Sequence, residues 1–142
     1  MPQALRSILA VATGLVVAMV TIAVLETASH LVFPPPSGLD PHDPESVRKL
    51  IDQLPLGALV SVLAAWTVAT FAGGRLAAWI AQTSPLAHSF CVFIVLILSA
   101  ITTMTLIPHP IWMWIGALTL LPAAMLAAAR LSGRTKPAAP TS

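Results

Sequence analysis

Charge is the first thing that this sequence lacks. Asp, Glu, Lys and Arg make up 8% of the 142 residues, whereas soluble domains carry roughly 25%. Because so few charged side chains cannot cover a water-facing surface, the composition excludes an ordinary soluble domain and predicts that lipid surrounds most of the chain. Cysteine is also scarce, since Cys91 stands alone. A single cysteine excludes an intramolecular disulfide and a zinc site built from cysteines.

Familiar catalytic and nucleotide-binding motifs are missing from the sequence as well. It contains no Gly-rich phosphate loop, no G-x-S-x-G and no C-x-x-C, which are the signatures of common nucleotide sites, hydrolases and redox sites. The stretch FAGGRLAAW at 71–79 resembles a nucleotide loop only in composition, because it belongs to an apolar helix with no strand before it. We therefore expect no enzyme activity, no nucleic-acid partner and no cofactor other than bound lipid.

Long apolar runs are what the sequence does contain. Four segments lack charge for about the length that a bilayer requires, roughly 20 residues each. In hydrocarbon every backbone polar group must be bonded within its own segment, so each run is predicted to be a helix. The predicted fold is all-α: a bundle of four transmembrane helices in one domain over 1–131, with a short interfacial helix in the outer loop. The spans are expected at about 7–33, 55–81, 87–107 and 111–130, followed by a disordered cytoplasmic tail over 132–142.

The distribution of charge predicts how the spans are oriented. All five acidic residues lie between the charge-free parts of the first and second spans, 7–25 and 54–74, whereas Arg6, Arg75 and Arg130 border the opposite ends of the spans. By the positive-inside rule, both termini face the cytoplasm of a bacterium and the acidic loop faces outward from its inner membrane. We expect the first span to be retained as a helix, since no small-residue cleavage site typical of a signal peptide follows it.

The outer loop contains a predicted amphipathic helix over 44–54. Asp43 is expected to cap its start and Pro44 to be its first residue. Four apolar residues then fall on one face at helical spacing, namely Val47, Leu50, Ile51 and Leu54. Such a helix suits two roles: lying along the membrane interface, or covering the outer mouth of the bundle.

Small residues at every fourth position form a stripe along the second span. The stripe consists of Gly57, Ser61, Ala65, Ala69, Gly73, Ala77 and Ala81, and a shorter stripe in the first span consists of Ala10, Gly14 and Ala18. Small residues at this spacing allow helix backbones to approach closely in lipid. Because such a row winds around a helix of 3.6 residues per turn, we expect its two ends to meet different neighbours. The second span is thus predicted to be central.

Polar side chains from three spans are expected at similar depth near the outer surface. This candidate site comprises Glu26, His30, Ser61, Thr102, Thr103 and His109. Three interpretations remain open. In the first, Glu26 is a hydrogen-bonded structural group. In the second, the cluster handles a proton or a cationic or polar ligand, since ionisable groups in a membrane usually face the bundle or a wet cavity. In the third, Glu26 and His30 bind a metal together with His109 or His42.

Three sequence segments carry a resemblance to a known group of proteins. FPPPSGLD at 33–40, FAGGRLAAWIA at 71–81 and IPHPIWMW at 107–114 resemble segments of small bacterial inner-membrane proteins with four helices. The resemblance extends over nearly the whole chain. It implies a four-helix membrane fold and an inner-membrane location, and it brings no activity with it.

The sequence therefore favours a non-enzymatic function in the bacterial inner membrane. The leading hypothesis is a structural or accessory subunit whose small-residue stripes pack against a second copy or a larger membrane complex. The alternative is a small transporter or a proton- or cation-linked carrier that uses Glu26 and His30. A membrane metal-binding protein is the third hypothesis.

Overall fold

The structure is a computed structural model that describes residues 1–34 and 43–133. The described residues form five helices and no strands, and the predicted all-helical fold is confirmed. Four of its helices are long and apolar enough to cross a membrane, as predicted. In chain order the helices are α1 (Gln3–Val32), α2 (Pro44–Gln53), α3 (Leu56–Ala81), α4 (Pro85–Leu106) and α5 (Ile111–Gly133). The last helix includes Ser132 and Gly133, which were predicted to belong to the tail. The rest of the predicted tail lies outside the described residues.

Local sequence determines where α2 and α4 begin. The Asp43 carboxylate accepts a hydrogen bond of 2.8 Å from the Ser46 backbone N–H, which confirms the predicted N-cap. Hydrogen bonding from the Ser46 side chain and backbone holds the pKa of Asp43 below its usual value. α4 begins at Pro85, since proline has no N–H to lose at a first helical position. It follows a tight connection in which Gln82 and Ser84 have positive φ angles.

The two ends of the helix bundle differ in charge. Arg6, Arg75 and Arg130 lie near one end, called here the basic end, which contains the first turns of α1 and α4 and the last turns of α3 and α5. The other end, called the acidic end, contains the last turns of α1, the whole of α2, the first turn of α3 and the connection from α4 to α5. Its four described acids, Glu26, Asp43, Glu45 and Asp52, outnumber its two basic residues, Arg48 and Lys49.

Large apolar side chains cover the outside of the long helices. α1 buries Ala10, Gly14 and Ala18 and exposes Ile8, Val16 and many of its other apolar residues. Exposed apolar surface on this scale is unusual for a soluble monomer.

α3 lies at the centre of the bundle and packs against α1, α4 and α5. One apolar cluster joins α3 to α4 and α5, with Leu63, Trp66, Ile97, Met113 and Leu121 among its buried members. A second and smaller cluster joins α1, α3 and α4 around Ala18, Ala69 and Val92. α1 and α5 each pack against α3 and α4 and, in the described part of the chain, not against each other.

The small-residue stripe of α3 lies against α1 along most of its length. At one end Phe33 contacts Gly57, and near the other end the Gln3 amide donates a hydrogen bond of 3.4 Å to the Ala81 carbonyl. The expectation that the two ends of the stripe meet different neighbours is therefore wrong. A row of residues four apart is inclined to the helix axis, so α1 follows the stripe by crossing α3 at a matching inclination.

Two glycines allow α1 and α3 to approach closely. A Cβ atom placed on Gly73 would lie 2.5 Å from the Gly14 carbonyl oxygen and 2.9 Å from the Ala18 Cβ. Gly74, the next residue, faces a different interface, where a Cβ would lie 3.4 Å from the Ser89 Cβ and 3.5 Å from the Ala128 Cβ. The adjacent glycines of FAGGRLAAW thus serve two helix contacts, and only the contact with α1 requires glycine.

Hydrogen bonds at the basic end hold α1 to the end of α3. The Arg6 Nε donates to the Ile80 carbonyl oxygen over 2.7 Å, and the Gln3 amide donates to the Thr83 hydroxyl over 2.9 Å. Carbonyls in the last turn of a helix lack intrahelical donors and carry partial negative charge. Arg6 therefore caps α3 as well as carrying a charge at the basic end.

The two glycines provide a matched pair of substitutions. We expect Gly73→Ala to destabilise the protein by about 1–3 kcal/mol, because the new methyl group must displace the backbone of α1. Gly74→Ala should be neutral or slightly stabilising, since its methyl group fits and alanine favours a helix. Unfolding in detergent, followed by circular dichroism, measures both. Equal effects of the two substitutions would contradict the close α1–α3 contact.

Candidate ligand site around Glu26

Glu26 lies on α1 between two cavities near the acidic end, and its side chain is half-buried. The first cavity, of about 80 Å³, is called the upper cavity; its wall includes Glu26, Ser29, His30, Leu50 and Leu54. The second, of about 280 Å³, is called the groove and lies between α1, α3 and α4. Besides Glu26 it is lined by Met19, Ile22, Trp66, Leu96, Ser99, Ala100 and Thr103. One carboxylate therefore reaches both spaces.

Helix packing explains why the groove is open at the level of Glu26. Near the basic end α1 touches α4 closely, since a Cβ on Gly14 would lie 3.1 Å from a Val92 methyl group. Four residues after Gly14, Ala18 is still fully buried. Nearer the acidic end Met19 and Ile22 stand on one wall of the groove and Ser99 on the other. The contact between α1 and α4 thus gives way to a space into which Glu26 projects.

Apart from the Trp66 indole, the polar side chains that line the groove accept hydrogen bonds. The Ser99 hydroxyl donates its proton to the Val95 carbonyl over 2.9 Å, and the Thr103 hydroxyl donates to the Ser99 carbonyl over 3.0 Å. A hydroxyl has one proton and two lone pairs, so both oxygens keep lone pairs and have no proton left to donate. An ionised carboxylate also only accepts. The three oxygen-bearing side chains therefore suit a ligand that donates hydrogen bonds or carries positive charge.

Two serines join α1 to α3 beside the upper cavity. The Ser29 and Ser61 oxygens are 2.6 Å apart, and the Ser61 hydroxyl donates to the Ala58 carbonyl over 2.7 Å. Since the single proton of Ser61 is used there, Ser29 is the donor in the bond between the helices. Ser61 is therefore committed to helix packing and is not a hydrogen-bond donor to Glu26.

His30 lies one turn beyond Glu26 on the same helix. It lines the upper cavity with Glu26 but is itself exposed. Within the described residues the ion pair found is Lys49–Glu45, and neither Glu26 nor His30 takes part in one. The carboxylate of Glu26 is thus left without a cation from the described part of the chain.

The remaining predicted site residues lie elsewhere. Thr102 is exposed and donates to the Leu98 carbonyl. His109 lines a separate cavity with Arg48 and Asp52 of α2, and this cavity contains no residue of α1. Glu26, His30 and His109 are accordingly not brought together, and no three His, Cys, Asp or Glu side chains within 1–34 and 43–133 are grouped closely enough to hold a metal ion. His42 lies outside the described residues.

Several residues of this site were not predicted from the sequence. Ser99 precedes Thr103 by one helical turn and Ser29 follows Glu26 by three residues, so helical spacing could have placed both near the candidate site. Leu50 and Leu54 belong to the predicted apolar face of α2, and here they form part of the wall of the upper cavity. No sequence pattern singled out the α4 face that lines the groove.

Comparisons with protein-family models, with curated proteins and with solved structures find no match to this chain. Family membership is therefore not shown, and the function must be argued from the site itself.

The Ser29–Ser61 bond can be measured by a double-mutant cycle. We expect Ser29→Ala and Ser61→Ala to show a coupling free energy of about 0.6 kcal/mol, which is typical of polar contacts between membrane helices. The two single variants and the double variant would be compared by unfolding in detergent. As a control, Ser99→Ala and Ser61→Ala should be additive, and additivity of the Ser29 and Ser61 effects would contradict the bond.

Proposed function

We propose that the chain is a multi-pass protein of a bacterial inner membrane with its basic end in the cytoplasm. The support is the separation of charge along four helices that are long and apolar enough to cross a bilayer. Arg6, Arg75 and Arg130 at one end match the positive-inside rule. In this setting α2 lies at the outer surface of the membrane, beside the upper cavity.

We further propose that the protein is a small proton- or cation-linked carrier that uses Glu26. The observation that carries this proposal is the position of one carboxyl group between two cavities with no cationic partner among the described residues. An ionisable side chain at membrane depth is costly and usually marks a pathway or a binding site. The acceptor oxygens of Ser99 and Thr103 suit the same kind of ligand.

Competition at Glu26 would couple the proton to the cation. A protonated carboxyl group is neutral and offers no charge to a cation, whereas the ionised group attracts one strongly where water is excluded. Binding of a cation from one side therefore favours release of the proton. His30, one turn away at the mouth of the upper cavity, is placed to receive that proton and pass it to water.

The small-residue stripes no longer favour the hypothesis of an accessory subunit. The stripes of α1 and α3 were expected to pack against a second copy or a larger complex, but in the structure they contact each other, as at Gly14 and Gly73. The polar residues exposed on α4, such as Ser99 and Thr102, donate to their own backbone and need no partner. The bilayer and a cationic ligand are the partners that we propose.

Proton exchange in proteoliposomes tests the carrier. Adding tetraethylammonium outside vesicles with an acidic interior should raise the internal pH, because protons leave as the cation enters. Tetraethylammonium is chosen because it has no uncharged form that crosses the bilayer unaided. Glu26→Gln keeps the shape of the side chain but cannot ionise, and it should slow the pH change at least about tenfold, equivalent to 1.4 kcal/mol. A trapped pH-sensitive dye reports the rate.

Glu45→Gln is the matched control, because Glu45 lies on α2 in an exposed ion pair with Lys49 and should leave the rate unchanged. Equal rates for wild type and Glu26→Gln would contradict the proposal. So would a folded wild-type protein that shows no pH change dependent on tetraethylammonium.

A further inference from the structure

A third cavity lies at the acidic end between α2, the start of α3 and the connection from α4 to α5. Its volume is about 500 Å³, and it combines charged residues with an apolar wall. Arg48 and Asp52 come from α2 and His109 from the connection; Ile51, Leu56 and Leu59 belong to the wall. The cavity shares Leu54 with the upper cavity and contains neither Glu26 nor His30, so it is separate from the proposed carrier site.

The two opposite charges in this cavity are not paired with each other. On the same helix Glu45 and Lys49 form an ion pair of 3.0 Å, with the acid four residues before the base, which is the favourable order. Arg48 and Asp52 have the reverse order, and among the described residues neither side chain has a hydrogen bond or an ion pair. One cation and one anion, one helical turn apart, are therefore both available to a ligand.

His109 adds an acceptor to the same cavity. Its Nδ1 lies 2.7 Å from the Ile107 carbonyl oxygen. Since a carbonyl oxygen only accepts, Nδ1 carries the proton, and in the neutral ring Nε2 is left as an acceptor. The polar groups of the cavity thus comprise one guanidinium donor and two acceptors.

Apolar surface continues outward from the cavity. Leu56, in its wall, is 65% exposed, and Leu106 and Ile111, on either side of the α4–α5 connection, are 77% and 80% exposed. Side chains of this kind at the end of a membrane helix suit contact with acyl chains. The charged part of the cavity matches the headgroup of a phospholipid, and the apolar surface beside it matches the acyl chains.

We propose that this cavity binds a zwitterionic phospholipid whose headgroup ends in a primary ammonium. The phosphate binds Arg48, whose planar guanidinium matches phosphate oxygens, and the ammonium donates hydrogen bonds to Asp52 and to the His109 Nε2. The two-carbon link between phosphate and ammonium suits two charged side chains one helical turn apart, whose Cβ atoms lie about 5–6 Å from each other. The acyl chains lie on the apolar surface beside Leu56, Leu106 and Ile111.

Lipid titration followed by native mass spectrometry tests this site. Full-length protein in detergent would receive phosphatidylethanolamine, phosphatidylcholine or phosphatidylglycerol with identical acyl chains. We expect phosphatidylethanolamine to bind about three- to tenfold more tightly than phosphatidylcholine, whose trimethylated nitrogen cannot donate hydrogen bonds. Free phosphoethanolamine should not compete, because it has no chains to cover the apolar surface.

Four substitutions on α2 form two matched pairs. Asp52→Asn should reduce the preference for phosphatidylethanolamine over phosphatidylcholine, because the ammonium keeps only the His109 Nε2 as an unchanged acceptor, and Arg48→Gln should weaken both about equally. Their controls, Glu45→Gln and Lys49→Gln, change the same charges outside the cavity and should leave lipid binding unchanged. Circular dichroism checks that each variant keeps its helix content.

Three results would overturn the proposal. One is equal binding of the ethanolamine and choline lipids. Another is an effect of the control substitutions on lipid binding as large as that of Asp52→Asn and Arg48→Gln, which would indicate attraction to surface charge alone. The third is tighter binding of phosphatidylglycerol that depends on Arg48 and not on Asp52, which would indicate an anionic lipid instead. Each result leaves the test of Glu26 unaffected, because that test reads proton exchange at another cavity.

Discussion

The close contact of α1 with α3 at Gly14 and Gly73 determines the rest of the arrangement. With no side chain on either residue, the two backbones approach to a distance that a Cβ atom would prevent. α1 then follows the small-residue stripe of α3 toward the acidic end, where Ser29 bonds to Ser61 and Phe33 covers Gly57. Glu26 lies between these contacts, so its position depends on the pairing of α1 with α3.

Most polar side chains within the apolar helices are satisfied locally. Thr67, Thr70, Ser99 and Thr102 each donate to a carbonyl one turn earlier in their own helix, which removes the cost of leaving a hydroxyl proton unbonded. Glu26 is different, because a carboxylate cannot bond to a carbonyl in this way. An ionised carboxylate facing two cavities needs a cation, a proton or water, and this need is the physical basis of the proposed carrier.

Local patterns predicted the elements of this fold well, and contacts between distant segments less well. The number of long helices and the cap at Asp43 follow from apolar length and from the chemistry of helix ends. The partners of the α3 stripe did not follow, since the crossing angle of two helices is not encoded in one of them. Similarly, His109 was grouped with Glu26 because both were expected at a similar depth in the membrane. The depth of a residue does not determine on which side of the bundle it lies. Glu26 shares one cavity with His30, one turn away on α1, and another with Thr103, because α1 adjoins α4.

The most direct test of the account is the position of the two ends of the bundle relative to the membrane. Cys91 would be replaced by serine, and single cysteines introduced by Gln53→Cys at the end of α2 and by Gly133→Cys at the end of α5, where a new Cβ meets no atom within 4 Å. In intact spheroplasts an impermeant maleimide should label the cysteine at 53 at once and the cysteine at 133 only after the membrane is opened. The reverse pattern, or recovery of the protein from the soluble fraction without detergent, would contradict a four-span protein with its acidic end outside.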